Sequence, residues 1–264
     1  MKTVQEWSLK FDQYYNNITS NQAPGLEEYE KSVFLTDAQK AVVLALYNGT
    51  LGKPFESTED VANYLAPLVK QAFWEENPDN GVTNTITKVD NPSYQIVTGS
   101  SVFKLPSDLM FRTYESCNLN VNVNCNSVAA VVVPVTQDEY WRTSRNPFKG
   151  PNDVRVLRLI YSDSTYAAPA SQSSSSGQAG SQVVEQDKKW TNIKYSEIVS
   201  KYDIVSYLVR YISNPHPIIL TSLNNSGLDI DGETDECPCL LDEALHETIL
   251  NEAVKIAKSV WMTQ

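Results

Sequence analysis

Hydrophobic residues near the start of the chain recur every three or four positions, which is the spacing of one helical face. The stripe consists of Val4, Trp7, Phe11, Tyr14 and Ile18. Thr3 and Glu6 form the Thr-x-x-Glu capping-box pattern at its start, and Pro24 and Gly25 prevent its continuation. The pattern therefore predicts an N-terminal helix.

Two further helices are predicted in the first quarter of the chain. One is predicted to start at Thr36, with Gln39 three residues later, and to end at Gly49. The next is predicted to start near Ser57. Its apolar stripe consists of Val61, Leu65, Leu68, Val69 and Phe73.

After residue 77 the pattern changes to short segments rich in Thr, Val, Ile and Tyr, separated by Gly, Pro and Asn. Such segments are typical of strands joined by turns, and they predict an antiparallel or mixed sheet. The candidate strands are residues 82–89, 94–97, 102–105, 109–114, 128–135, 155–161 and 202–212. Residues 167–182 are rich in Ser, Gln and Gly, and we expect a mobile hairpin loop there, with a domain linker as the alternative.

The C-terminal segment, residues 240–261, carries pairs of apolar residues at helical spacing, with acids early and lysines late. This pattern predicts a long helix whose charges suit the helix dipole. The expected fold class is α+β, in which N- and C-terminal helices form a bundle and the chain between them forms an inserted antiparallel or mixed sheet with a Ser-rich mobile loop. The expected division is a helical region 1–77, a β-rich region 78–220, and a region 221–264 that packs with the N-terminal helices.

Charge narrows the range of functions. The net charge is −11, from 32 acidic and 21 basic residues, which argues against wrapping around DNA because phosphate contacts need clustered Lys and Arg. An acidic surface can still line a passage through which DNA slides without sticking. The chain has no apolar run of membrane-spanning length and no signal-peptide pattern, so we expect a soluble protein that stays where it is made.

Residues with reactive side chains do not form a recognised catalytic pattern. The four cysteines (117, 125, 237 and 239) lack zinc-site spacing and are expected to be free thiols, and no nucleophile motif accompanies His216 or His246. The acidic stretch 229–236 fails as an EF-hand because Thr234 stands where glycine is required. We expect no cofactor, no metal and no enzyme, and a metal-dependent hydrolase using this stretch is the alternative.

Two segments combine rigid backbone with aromatic groups, which is typical of interfaces. Residues 21–34 place apolar groups among acids after a Pro-Gly turn, and residues 146–151 enclose a phenylalanine between prolines. The candidate interface residues are Pro24, Leu26, Tyr29, Phe34, Tyr140, Trp141, Pro147, Phe148 and Pro151. The alternative is that these aromatics cover the core of the protein itself.

Six segments of the chain carry a resemblance to a known family. The first is NQAPGLEEYEKSVFLTDAQ, residues 21–39. The others are LPSDLMF (105–111), VPVTQDEYWRTSRNPFKGP (133–151), VLRLIY (156–161), RYISNPHPIIL (210–220) and CPCLLDEALHETILNEAVKIA (237–257). They lie in order between residues 21 and 257 and resemble structural proteins of crAss-like phages and related podoviruses that infect Bacteroides, and the first resembles the N-terminal region of those proteins.

The resemblance implies a subunit of the head-to-tail connector that joins the portal to the tail. Proteins of this kind assemble as rings, usually of twelve copies, and contact the portal and neighbouring tail ring proteins. Genomic DNA is expected to pass through the ring without specific binding. The implied location is the head–tail junction of the virion, after synthesis in the host cytoplasm. An assembly factor that leaves before maturation is a further alternative.

Overall fold

A computed structural model describes residues 3–16, 25–50, 59–75, 87–89, 95–121, 127–167, 189–224 and 226–262. The chain divides into two compact units, here called the helical unit (Met1–Val69 with Ile212–Gln264) and the sheet unit (Lys70–Tyr211). Five α-helices are present in the described residues: α1 Val4–Asn16, α2 Glu28–Tyr47, α3 Glu59–Leu65, α4 Gln137–Ser144 and α5 Glu243–Met262. Within these ranges, none of the helices combines the length and the apolar character of a membrane-spanning segment.

The described strands number eight and belong to one mixed sheet. They are β1 Val69–Glu75, β2 Thr87–Val89, β3 Ser101–Lys104, β4 Leu109–Asn120, β5 Val128–Pro134, β6 Arg155–Ala167, β7 Lys189–Val199 and β8 Asp203–Ser213. The protein is therefore of the α+β class.

Helix α1 begins with the predicted capping box. The Thr3 N–H donates to Glu6 Oε2 at 2.9 Å, and the Glu6 N–H donates to Thr3 Oγ1 at 3.3 Å. The buried face contains Tyr15 in place of the predicted Tyr14, whose hydroxyl instead donates to Glu247 of α5 at 3.1 Å. The predicted stripe was therefore right at Trp7 and Phe11 and one residue off at Tyr14, and Ile18 lies outside the described residues.

Helix α2 begins eight residues before the predicted start at Thr36. Its capping interaction uses the N–H of Glu27, which donates to Glu30 Oε2 at 3.0 Å. Acids in a first turn also suit the positive end of the helix dipole. The prediction was wrong because the Thr-x-x-Gln pattern at residue 36 lies in the middle of a longer helix.

Hydroxyl groups of α2 hold an extended segment of the chain along the helix. The Ile218 N–H donates to Thr36 Oγ1 at 3.1 Å, and the Leu220 N–H donates to Ser32 Oγ at 2.9 Å. The Ser32 hydroxyl in turn donates to the Glu28 carbonyl at 2.6 Å. Buried backbone N–H groups need such partners, so these helix hydroxyls replace the hydrogen bonds of a sheet.

Helix α3 ends at Leu65, where a 3₁₀ turn (Ala66–Leu68) leads into strand β1. The predicted continuation of the helix through Val69 and Phe73 was wrong, because Pro67 has no N–H with which to extend it. The predicted start at Ser57 lies outside the described residues.

Helix α5 begins at Glu243, close to its predicted start, and packs against α2 and α1. Its buried face includes His246, Ile249, Leu250, Ala253, Val254 and Ala257. The His246 and Trp7 rings lie 4.9 Å apart between centroids, so an aromatic contact joins α5 to α1.

The sheet has the strand order β1-β8-β4-β5-β6-β7-β3-β2, and β5 pairs parallel with β6. It is strongly curled. Phe103 of β3 lies 5.3 Å from Trp74 of β1 and 4.8 Å from Tyr207 of β8 between ring centroids. Because several strands separate β3 from β8 in the sheet order, these contacts require the two ends of the sheet to approach each other.

Five of the predicted strands correspond to β3, β4, β5, β6 and β8. The predicted strand 94–97 was wrong, because its described residues 95–97 form a bend. Of the predicted strand 82–89, only β2 is described. The Ser-rich stretch lies outside the described residues after Ala167, and the flanking strands β6 and β7 pair antiparallel up to Ala167 and Lys189.

Replacing Ser32 tests the hydroxyl contacts of α2. We expect Ser32→Ala to lower the free energy of unfolding by about 1–3 kcal/mol, because the buried Leu220 N–H loses its acceptor. The control Ser222→Ala removes an exposed hydroxyl and should change stability by no more than about 0.5 kcal/mol. Urea unfolding of both variants measures the difference, and equal stabilities would contradict the assigned role.

Candidate interaction surfaces

Ionisable groups inside the curled sheet form one network. Glu115 of β4 accepts from Arg158 of β6, with Arg158 Nη1 at 3.0 Å from Oε2, and from the Tyr207 hydroxyl at 2.6 Å. Arg112 Nε lies 3.5 Å from Glu115 Oε1, and Arg112 Nη2 donates to Ser196 Oγ of β7 at 3.1 Å. The network thus connects four strands across the interior.

The environment of this network indicates a structural role rather than a catalytic one. Burial raises the pKa of Tyr207 well above its ordinary value, and the neighbouring Glu115 adds to the effect. Burial and the charge of Arg158 lower the pKa of Arg112. The tyrosine is therefore held as a neutral donor, which makes it a poor nucleophile.

A second buried carboxylate, Glu197 of β7, fixes a bend of the chain. It accepts from the N–H groups of Ile96 and Val97, at 3.1 Å and 2.8 Å, and from the Ser100 hydroxyl. A carboxylate bound by several donors can remain buried without a cation. Glu197 thereby anchors residues 95–100 to the sheet.

The acidic stretch 229–236 forms the tip of a turn in the helical unit. Asp231 Oδ2 lies 2.6 Å from Lys40 Nζ, Asp229 Oδ1 accepts from the Gly232 N–H at 3.1 Å, and Asp235 Oδ1 accepts from Asn224 at 2.8 Å. These three aspartates therefore have different local partners. Within the described ranges, no three His, Cys, Asp or Glu side chains are grouped to hold a metal ion.

The remaining candidate catalytic groups are cysteine thiols and histidine imidazoles. Cys117, Cys237 and Cys239 are free thiols, and burial raises the pKa of Cys117 to about 12. His216 is exposed, whereas His246 is buried with Nε2 at 3.1 Å from the Leu241 carbonyl oxygen. Neither thiols nor imidazoles of the described residues are arranged as a nucleophile and base.

The described part of the first predicted interface segment, residues 25–34, lies mostly within α2. Tyr29 and Val33 pack against the buried cluster of Ile219, Leu223 and Ile230. The structure thus assigns Tyr29 to the support of the turn that contains the acidic stretch. The other members of this segment are Leu26 and Phe34, which are half-buried, and Pro24, which lies outside the described residues.

The second predicted interface segment separates into buried and exposed members. Tyr140 of α4 is buried against Leu157 and Leu159 on the outer face of the sheet. Trp141 is 61% exposed and Phe148 is 84% exposed. Pro147 is exposed and Pro151 is half-buried. Helix α4 therefore buries one aromatic ring and presents the next to solvent.

Hydrogen bonds fix the loop that carries Phe148. The Phe148 N–H donates to Asn146 Oδ1 at 2.9 Å, and Arg155 Nη1 donates to the Phe148 carbonyl at 2.5 Å. The Gly150 N–H donates to the Asn146 carbonyl at 2.7 Å. A Cβ at Gly150 would lie 2.9 Å from the Ser144 carbonyl oxygen. These contacts thus fix the conformation of the backbone that carries the exposed Phe148 ring.

The sequence prediction missed a groove in the helical unit, with a volume of about 360 Å³. Its lining residues are Val4, Gln5, Ser8, Leu9, Glu28 and Leu220. Leu9 is 64% exposed and lies off the buried stripe of α1. That departure from the stripe is the one signal in the sequence that points to this surface.

Comparison with known proteins gives full-length similarity. The model of the family described as phage tail ring protein 3/4 matches residues 1–264. Ring protein 3 of Bacteroides phage crAss001 is 35% identical over 261 residues, which cover 97% of this chain and 94% of that protein. Ring protein 4/5 of the same phage is 30% identical over 264 residues, covering 98% and 93%.

Removal of one charge from the buried network should be costly. We expect Arg158→Met to lower the free energy of unfolding by about 3–5 kcal/mol, because Glu115 stays buried without this cation. The control Lys255→Met removes a 73% exposed lysine that also pairs with a glutamate, and should cost about 0–1 kcal/mol. Chemical denaturation of both variants gives the comparison. Similar losses of stability in the two variants would contradict the expectation that the buried ion pair matters more than the exposed one.

The exposed phenylalanine should contribute little to folding. We expect Phe148→Ser to change the free energy of unfolding by at most about 0.5 kcal/mol. Leu157→Ala, which truncates a fully buried side chain of the same unit, should cost about 2–5 kcal/mol. Thermal and urea unfolding distinguish these outcomes. A large loss in Phe148→Ser would mean that this ring belongs to the core.

Proposed function

Because this chain belongs to the family of phage tail ring protein 3/4, we propose that it is a subunit of the head-to-tail connector ring that joins the portal to the tail. Ring proteins of the phage tail are structural components of the virion, and this chain is such a component and not an enzyme. The similarity over nearly the full length of two crAss001 ring proteins carries the proposal.

The exposed aromatic residues support assembly through direct protein contact. Trp141 and Phe148 are large, exposed and held on defined backbone, and such groups favour interfaces because little entropy is lost on docking. We propose that the partners are further copies of this chain, twelve in one ring, together with the portal and neighbouring tail ring proteins. Assembly takes place in the host cytoplasm and leaves the ring at the head–tail junction.

The charge of the protein supports a role beside DNA without binding it. A ring of copies with a net charge of −11 each repels phosphates, so DNA can move past without being held. We propose that the ring forms part of the DNA conduit. Cofactors play no role in this function.

The proposal predicts that the chain is present in finished particles at the copy number of one ring. Quantitative mass spectrometry of purified virions, referenced to the portal protein, should give one copy per portal subunit if both rings have twelve members. Cryo-electron microscopy of the same particles should show the ring directly below the portal region.

Different outcomes would contradict different parts of the proposal. Presence in infected cells but absence from finished particles would indicate an assembly factor. A ring with another symmetry would refute twelve copies, and a position remote from the portal would refute the connector assignment. The major capsid protein serves as the control for particle recovery.

A further inference from the structure

We propose that the basic segment 141–149 of one copy docks on the next copy by placing Phe148 in the groove between α1, the start of α2 and Leu220. This inference rests on the proposed ring function and names the contact that joins neighbouring subunits. Its elements are an exposed ring on one unit, a groove on the other unit, and opposite local charges.

A ring of identical subunits requires two different surfaces on each copy. Head-to-tail contacts between different patches generate a closed ring when the rotation from copy to copy closes, whereas a single self-complementary patch generates a dimer. Among the described residues, Phe148 is an 84% exposed aromatic group on the sheet unit, and the helical unit carries a partly apolar groove. These two surfaces differ in shape, as a head-to-tail contact requires.

The protruding partner is preorganised. Phe148 is 84% exposed, its N–H and carbonyl are both bonded within the loop, and prolines stand on both sides of it in the sequence. Little conformational freedom remains to be lost when the ring is buried. A buried aromatic side chain contributes about 150–250 Å² of contact area.

The groove fits such a side chain in size and chemistry. Its volume of about 360 Å³ lies at the lower end of the range of about 300–1,000 Å³ known for ligand sites. Val4, Leu9 and Leu220 supply apolar walls, and Leu9 is 64% exposed. Covering Leu9 and Phe148 together removes two large apolar side chains from water.

Charge complementarity selects a second copy as the occupant. Segment 141–149 contains three exposed basic residues (Arg142, Arg145 and Lys149) and no acidic residue. The start of α2 carries Glu27, Glu28 and Glu30, of which Glu28 lines the groove.

The cations beside these acids leave a local negative excess. Lys31 is buried and pairs with Asp12 at 2.8 Å and with Glu28 at 3.1 Å, and Lys10 of α1 is exposed. Together, α1 and residues 27–31 contain five acidic residues and these two lysines. The basic segment of another copy complements this charge.

Disulfide cross-linking between copies tests the contact. Phe148→Cys and Leu9→Cys are introduced into separate copies in a Cys125→Ser, Cys237→Ser background, and the two proteins are mixed and oxidised. We expect cross-linked heterodimers well above the yield of the control pair Lys201→Cys with Leu9→Cys, since Lys201 is an exposed residue outside the segment. A yield no higher than the control overturns the inference.

Charge reversal provides an independent measurement by sedimentation velocity. Arg145→Glu with Lys149→Glu should weaken self-association, as should Gln5→Lys, which places a cation in the lining of the groove, and combining the three changes should restore it. Phe148→Ser should weaken association by about thirtyfold, as expected for an interface hot spot. Weakening without restoration in the combined variant overturns the pairing of these two surfaces.

The results separate this inference from the ring function. Rings that still form in virions carrying Phe148→Ser, with no excess cross-link, refute the contact and leave the ring intact. Cross-linking of Phe148→Cys in particles to another virion protein alone refutes a second copy as the occupant. Absence of the chain from particles refutes the ring function itself.

Discussion

Burial of Tyr140 against Leu157 and Leu159 is the contact on which the exposed surface of the sheet unit depends. It fixes one face of α4, so that the next residue, Trp141, must point to solvent. The same helix ends next to the turn held by Asn146, whose side chain and carbonyl bind the backbone of the Phe148 loop. These hydrogen bonds fix the backbone from which the exposed Phe148 ring extends.

Inside the sheet, charge replaces part of the apolar core. Glu115 of β4 binds Tyr207 of the neighbouring strand β8 and also Arg158 of β6, which β5 separates from β4 in the sheet order. Buried ion pairs add little net stability because both charges must be desolvated, but a misplaced partner is severely penalised. We infer that the network selects one curvature of the sheet over alternatives, and a ring subunit needs such a fixed shape.

Local signals explain which parts of the fold could be predicted from the sequence. The Thr3–Glu6 capping box lies within four residues, and the structure contains it. The same pattern at Thr36 was misleading because that hydroxyl bonds with Ile218, 182 residues away. Strand β7 was missed since Ser196 and Glu197 look exposed in sequence, and only distant partners bury them. The groove beside Leu9 likewise requires residues from three separate segments.

Assembly of an acidic protein into a ring places opposing demands on its surface. Copies with a charge of −11 repel each other, but salt limits this repulsion to about 8 Å at physiological ionic strength. Attraction between copies must then come from burial of apolar surface at short range and from local patches whose charge is opposite in sign to the net charge of the protein. Segment 141–149 is such a patch, with three basic residues and no acid. Local attraction of this kind outweighs the repulsion most easily where copies are already held side by side, because such neighbours have a high effective concentration.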